Sequence, residues 1–365
     1  MFSSTLVSLV LSPLLIAAAP TLLADHSSQA THFLQTRQSS YNASLPNITI
    51  FATGGTIAGS AGSSTAVTGY TAGALGIQVL IDAVPSIVNI SNVNGVQVSN
   101  VDSGSITPTI LLNLTQQVTA ALADPYIQGV VITHGTDTLE ETAFFMDLTT
   151  RSEKPVVVVG AMRPATAISA DGPINLLAAV TLAASPAAVG RGTMVVLNDR
   201  IASAYYTTKT NANALDTFRA VEQGFLGVFL SLEPVFYYAP ALPVGKPYFD
   251  VSETAELPQV DILYGYQQLN PALVEAAVES GSKGLIMAGM GAGGWTTAGR
   301  AAADEAYEKN GTIFVWSHRS QDGFVDGGYE HAVGSGFFNP QKSRYLLSLA
   351  LNAGWGLDQL KTVFK

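Results

Sequence analysis

Threonine hydroxyls set on glycine-rich turns are the groups in this sequence best suited to chemistry. The run Phe51-Ala-Thr-Gly-Gly-Thr-Ile-Ala-Gly59 follows a short β-branched stretch, Ile48–Phe51. Paired glycines let a backbone turn sharply and approach a ligand closely, which leaves Thr56 presented on that turn. An ordinary turn would carry the same residues. Gly54 and Gly59 have the spacing of a phosphate loop, but Ser60-Ala61 follows where Lys-Ser/Thr is needed, and no Gly-x-Gly-x-x-Gly occurs here. The nucleotide-loop reading fails at its lysine.

Four further segments carry candidate groups. Ser60 to Thr71 is almost all Gly, Ser, Ala and Thr, with Tyr70 near its end. So little packing surface predicts a mobile loop, either a lid that brings the Tyr70 phenol to a site or a plain surface loop. Val130-Val-Ile-Thr-His-Gly-Thr-Asp-Thr138 reads as a strand, a glycine turn and a helix start. Thr136 and Asp137 fall at the helix N-terminus, where free N–H groups and the dipole favour negative charge. Asp137 or Thr138 can equally serve as a cap. Tyr206-Thr-Thr-Lys-Thr-Asn211 sets Lys209 among threonines, as an exposed lysine or as one buried near Thr136 and tuned to accept a proton. Asn100-Val-Asp-Ser-Gly-Ser105 offers Ser103 as a carboxylate contact, or an ordinary turn. His134 reads as structural, since no Gly-x-Ser-x-Gly elbow exists to complete a Ser-His-Asp triad.

The elements that must position these groups alternate. Strands are predicted at Ile48–Phe51, Gly129–Thr133, Pro155–Gly160 and Thr193–Leu197. Helices are predicted at Gly73–Val84, Ile110–Ala123, Leu139–Leu148 and Pro173–Ala184. Near-continuous apolar strands between helices predict an α/β fold with a mostly parallel sheet covered on both faces. Residues 239–258, rich in proline, read as a linker. A smaller α/β domain follows at 259–365, with strands at Val260–Tyr264, Gly284–Ala288 and Thr312–Trp316 and helices at Pro271–Glu279, Thr297–Lys309 and Pro340–Asn352. The larger domain occupies residues 45–238, preceded by a polar lead at 26–44.

Composition narrows the function classes. With 47% hydrophobic and 12% charged residues, the chain has ample core and is not a polar disordered one. A net charge of −10 without a Lys/Arg cluster argues against nucleic acid as a partner. The absence of cysteine excludes thiol catalysis and cysteine-based zinc sites, and the five histidines match no metal spacing. Residues 1–25 hold an apolar run, Leu6–Ala19, too short for a membrane span and suited to a signal peptide. With the sequons at Asn42, Asn47, Asn89, Asn113 and Asn310, they predict a secreted glycoprotein in an extracellular, cell-wall or periplasm-like space, with only some sequons occupied because Asn47 opens a strand.

The order and wording of the motifs together are specific. Ala52-Thr-Gly-Gly-Thr-Ile-Ala-Gly59 followed by Ile132-Thr-His-Gly-Thr-Asp-Thr138 resembles the bacterial-type L-asparaginases, the secreted type II group. The likeness continues through Lys154–Pro164, Ser169–Pro173, Thr208–Asn211 and Asn339-Pro-Gln-Lys342, from Leu45 to the C-terminus. The resemblance implies a flavodoxin-like N-terminal sheet, a homotetramer of intimate dimers, no metal or organic cofactor, and hydrolysis of L-asparagine through a threonine-linked acyl-enzyme. By resemblance Thr56 is the nucleophile and Tyr70 the lid tyrosine that assists it. Ser103 contacts the substrate α-carboxylate and Asp137 its α-amino group, while Thr136 and Lys209 form the second threonine–lysine pair. Backbone N–H groups around Gly55 and Gly135 are the candidate oxyanion donors.

Three positions depart from the family pattern. Gly104 stands where Gln or Glu is usual, and Ala292 where asparagine is frequent. The segment before Asn339 is shortened, leaving Asp326 as the stand-in for a glutamate that reaches in from a neighbouring subunit. All three bear on the α-amino group, with Asp102 a candidate to compensate. Two alternatives therefore stand beside an asparaginase: an asparaginase-glutaminase of broad specificity, and a secreted amino-acid-binding protein that has lost catalysis.

Overall fold

The computed structural model describes residues 41–66, 68–327 and 331–364. Eight strands form the larger sheet: β1 (Asn47–Gly54), β2 (Asn92–Val101), β3 (Gly129–Thr133), β4 (Val156–Val159), β5 (Thr193–Leu197), β6 (Arg200–Ser203), β9 (Gly227–Leu230) and β10 (Glu233–Phe236). β7 (Thr208–Lys209) and β8 (Phe218–Arg219) form a separate antiparallel ribbon. The order in the large sheet is β10-β9-β6-β5-β4-β3-β1-β2. β2, β1, β3, β4 and β5 are parallel; β6, β9 and β10 extend the sheet antiparallel.

This order has a functional consequence. The chain passes from β1 out to β2 and then back across β1 to β3, so crossovers leave β1 in opposite directions. Such a reversal opens a crevice beyond the carboxyl ends of the strands, where ligands bind in open α/β sheets. Thr56 follows β1, Ser103 follows β2 and Thr136 follows β3, so sheet order alone gathers all three at the switch point.

β1, β3, β4 and β5 are buried along their whole length because helices cover both faces. The covering helices are α1 (Ile77–Asp82), α2 (Pro108–Ala123), α3 (Leu139–Thr149) and α4 (Gly172–Ala184). The start of α2 follows local chemistry: the Thr107 hydroxyl accepts from Ile110 N–H, and Pro108 occupies the first turn. α1 is shorter than the predicted Gly73–Val84, since Gly73 adopts φ 65° and Gly76 is extended.

A second, smaller sheet contains β11 (Val260–Tyr264), β12 (Gly284–Gly289), β13 (Ile313–His318) and β14 (Ala332–Gly334), all parallel. Its helices are α5 (Ala272–Glu279), α6 (Thr297–Asn310), α7 (Pro340–Asn352) and α8 (Leu357–Val363). One apolar cluster unites the two sheets' layers, with Phe144 and Phe145 of α3 against Tyr345, Leu346 and Leu349 of α7. The proline-rich segment 239–258 is no free linker. Phe249 and Val251 are buried in that cluster, Phe249 packs on Trp355, and its N–H donates to Leu148 O.

Four sequons, at Asn42, Asn89, Asn113 and Asn310, are exposed. Asn47, the fifth, is the first residue of β1. It is 7% exposed, its Nδ2 donates to Tyr126 O and its Oδ1 accepts from Asn92 Nδ2, so the folded chain has no room for a glycan there.

Candidate active site

The end of β1 is bent by two glycines in the left-handed region, Gly54 at φ 108° and Gly55 at φ 79°. A β-carbon on Gly55 would lie 2.2 Å from both the N and the Cα of Gly135. One on Gly135 would lie 2.9 Å from Ser103 Oγ. The turns after β1 and β3 thus touch glycine to glycine, and the Ser103 side chain from the turn after β2 packs against Gly135. Thr56, Ser103 and Thr136 surround that contact, each buried.

Two threonine hydroxyls, each with a side-chain partner, occupy the site. Thr56 Oγ1 lies 2.7 Å from the Tyr70 hydroxyl. The loop that delivers Tyr70 is folded down: Ser60 and Thr71 exchange backbone bonds, Ala61 N–H donates to Thr166 Oγ1, and Ile168 N–H donates to Ser64 O. The ring of Tyr70 rests against Gly59, where a β-carbon would come within 3.0 Å of its Cδ2. On the other side, Lys209 Nζ donates to Thr136 Oγ1 at 3.1 Å and to Asp137 Oδ1 at 2.6 Å. The Lys209 side chain is 12% exposed and that of Asp137 is 72% exposed. Asp137 therefore anchors the lysine and still faces outward.

His134 is structural in this arrangement. It is fully buried, its Nδ1–H donates to Gly135 O at 2.7 Å, and its Nε2 accepts from the Thr142 hydroxyl at 2.8 Å. Burial pushes its pKa down to about 4, so the ring is neutral at pH 7 and holds the Gly135 peptide in place. Thr138 Oγ1 donates to Ser103 O at 2.8 Å, tying the β2 turn to the start of α3.

Gly55 departs from the role expected of it. Its N–H donates to Val101 O at 3.0 Å, so it is committed to the sheet edge and does not face a ligand. Gly135 remains positioned at the contact between the turns. Asp326, the expected stand-in for an acidic group from a neighbouring subunit, is exposed in the loop before β14, and Ala292 is exposed between β12 and α6. Among the described residues neither has a hydrogen bond to Thr56, Thr136 or Lys209.

Sequence reasoning did not single out Glu140. It is 4% exposed, its Oε1 accepts from the Lys209 backbone N–H at 3.3 Å, and its Oε2 accepts from Asn339 Nδ2 at 2.8 Å. The one available signal was its place in the first turn of α3, where a carboxylate complements the dipole.

Known proteins share this framework. The family model "Asparaginase, N-terminal" matches residues 47–242, and "Glutaminase/Asparaginase C-terminal domain" matches residues 259–364. Probable L-asparaginase 1 of Schizosaccharomyces pombe is 56% identical over 345 residues, 94% of each chain. L-asparaginase 2 of Escherichia coli is 42% identical, covering 88% of this chain and 93% of its own. The crystal structure of a probable cytoplasmic L-asparaginase from Campylobacter jejuni superimposes with a TM-score of 0.84 at 41% identity, covering 87% of this chain and 99% of that one. That likeness to a protein described as cytoplasmic overturns the expectation of an extracellular location. Residues 1–25, on which the signal-peptide expectation rested, lie outside the described residues.

Proposed function

Because the chain belongs to the asparaginase family and is an amidohydrolase of that family, we propose that it hydrolyses L-asparagine to L-aspartate and ammonia through an acyl-enzyme on Thr56. The observation that carries this reading is the pair of hydroxyl contacts on adjacent strand ends. Thr56 Oγ1 has Tyr70 at 2.7 Å, and Thr136 Oγ1 has Lys209 at 3.1 Å.

An alcohol attacks an amide only when a neighbour accepts its proton. Tyr70 is the hydroxyl in contact with Thr56 and relays that proton. The Thr56 Oγ–C bond forms, the C–N bond breaks, and the nitrogen leaves as ammonia with the proton from Thr56. Water activated beside Thr136 and Lys209 then adds to the β-aspartyl ester. Its hydroxide oxygen stays on the acyl carbon, its proton returns to Thr56 Oγ, and aspartate is released. The N–H of Gly135, on the turn braced by His134, is the oxyanion donor. Such a donor is worth roughly a hundred- to thousandfold in rate.

Recognition of the free amino acid needs both charges met. Ser103 Oγ sits against the Gly135 backbone and offers a donor to the α-carboxylate. The exposed face of the Asp137 carboxylate, 72% open, takes the α-ammonium. For the assembly we propose the homotetramer of intimate dimers. Leu230, Val235, Tyr237, Tyr238, Leu242 and Val244 are all exposed along and beyond the β9–β10 edge, which supports burial in such an assembly. Sedimentation of the purified chain decides it.

The deciding assay is ammonia release from L-asparagine and from L-glutamine, with Thr56→Ala in parallel. Asparagine hydrolysis lost in Thr56→Ala, with a β-aspartyl adduct trapped only on the wild type, is the expected result. Activity surviving the substitution moves the nucleophile to Thr136. Comparable rates on both substrates would make the enzyme an asparaginase-glutaminase.

A further inference from the structure

The motif Asn339-Pro-Gln-Lys342 takes no part in the chemistry above, yet it reaches the segment that carries Lys209. We propose that Asn339 and Lys342 are positioning residues that clamp both ends of Ala204–Lys209 from the N-terminus of α7 and so hold the Lys209 ammonium on Thr136. This rests on Lys209 acting in the reaction as proposed.

Lys209 needs such a clamp because the main sheet does not hold it. β7 is two residues long and pairs with β8 in a two-stranded ribbon, Thr208 opposite Arg219 and Lys209 opposite Phe218. A ribbon of that size is marginal by itself, and precise placement of a reacting group needs a supporting shell.

The shell comes from the smaller domain. Asn339 Nδ2 donates to Thr208 Oγ1 at 3.1 Å and to Glu140 Oε2 at 2.8 Å, while Glu140 Oε1 receives the Lys209 backbone N–H. One amide thus fixes β7 directly and again through α3. At the other end Lys342 Nζ donates to Ala204 O at 2.6 Å. Lys342 is 1% exposed, with its ammonium 4.9 Å from the centre of the Phe144 ring. Burial pulls its pKa down to about 8, opposed by Glu140, Asp147 and Glu141. A buried ammonium is costly unless it is well partnered, and the partner is the carbonyl where the clamped segment begins.

Asn339 has two separable duties. Its Oδ1 caps α7 by accepting the Lys342 N–H at 2.9 Å, and its Nδ2 serves the clamp. Asn339→Ser and Asn339→Thr keep a capping oxygen and, with shorter side chains, withdraw the amide donor from Thr208 and Glu140. The proposal expects both variants to melt near wild type and to lose kcat on asparagine by about ten- to a hundredfold, with little change in KM. Combined with Lys209→Met, Asn339→Ser should have no further effect on kcat, since the group it positions is gone. Wild-type kcat in both Asn339 variants would overturn the proposal, as would a loss that recurs in full on the Lys209→Met background. If Lys209→Met alone retains full activity, the role given to Lys209 fails, and the clamp's role fails with it.

Discussion

Gly55 and Gly135 meet backbone to backbone: a β-carbon on Gly55 would sit 2.2 Å from the Cα and N of Gly135. This contact joins the turns after β1 and β3 and brings the two threonine hydroxyls and their partners to one place. Gly55→Ala meets two penalties, a left-handed φ of 79° and a backbone collision that no side-chain rotation relieves. The expected loss is about 3 kcal/mol or more of stability, with activity lost as well, read from urea unfolding beside asparagine turnover. A variant as stable and active as wild type would show that the two turns can separate at no cost.

Tyr70→Phe removes a hydroxyl 2.7 Å from Thr56 Oγ1 and leaves the ring on Gly59. The expected outcome is a fall in kcat on the order of a hundredfold or more, with the melting temperature unchanged. Single-turnover release of ammonia checks that the first step is the one slowed. A kcat equal to wild type would take Tyr70 out of the proton path.

Asp102 is exposed immediately before Ser103, and Gly104 beside it has no side chain to offer a substrate. If Asp102 supplies the missing contact to the α-ammonium, Asp102→Ala should raise KM for asparagine about fivefold with kcat within twofold, since one exposed charge contact is worth roughly 1 kcal/mol. An unchanged KM would leave Asp137 as sufficient for the amino group.

His134 links stability to pH. Its folded-state pKa, about 4, lies below the ordinary 6.5. Between these values the unfolded chain binds the proton and the folded chain does not, so this group makes stability fall as pH drops from 6.5 towards 4. The full span amounts to about 3 kcal/mol. His134→Gln should flatten the urea midpoint across that window relative to wild type. An identical pH slope in the two proteins would show that the buried ring does not set it.

Local sequence was enough to read much of this molecule. Apolar β-branched runs such as Val156–Val159 read as fully covered strands and the paired glycines Gly54-Gly55 as a tight turn, so β1, β3, β4, β5, β11, β12, β13, most helices and the hydroxyl-bearing turns were legible, while the short strands β6 to β10 and β14 were not. Nor was β2. Its residues Asn92–Val101 alternate with Asn, Gln, Ser and Gly because it lies at the sheet edge and is half exposed, which weakens the apolar signal a buried strand gives. The Gly55 N–H was misread for a related reason: its partner, Val101 O, lies on that unrecognised edge strand.

What only the tertiary structure decided is which side chains meet. Lys209 and Thr136 are 73 residues apart and Asn339 and Glu140 are 199 apart. Sequence supplies the residue types and the turns that present them. The meeting follows from the reversal of strand order at β1 and from α7 packing on α3, because periodicity reports which face of an element is buried and carries no information about which element buries it.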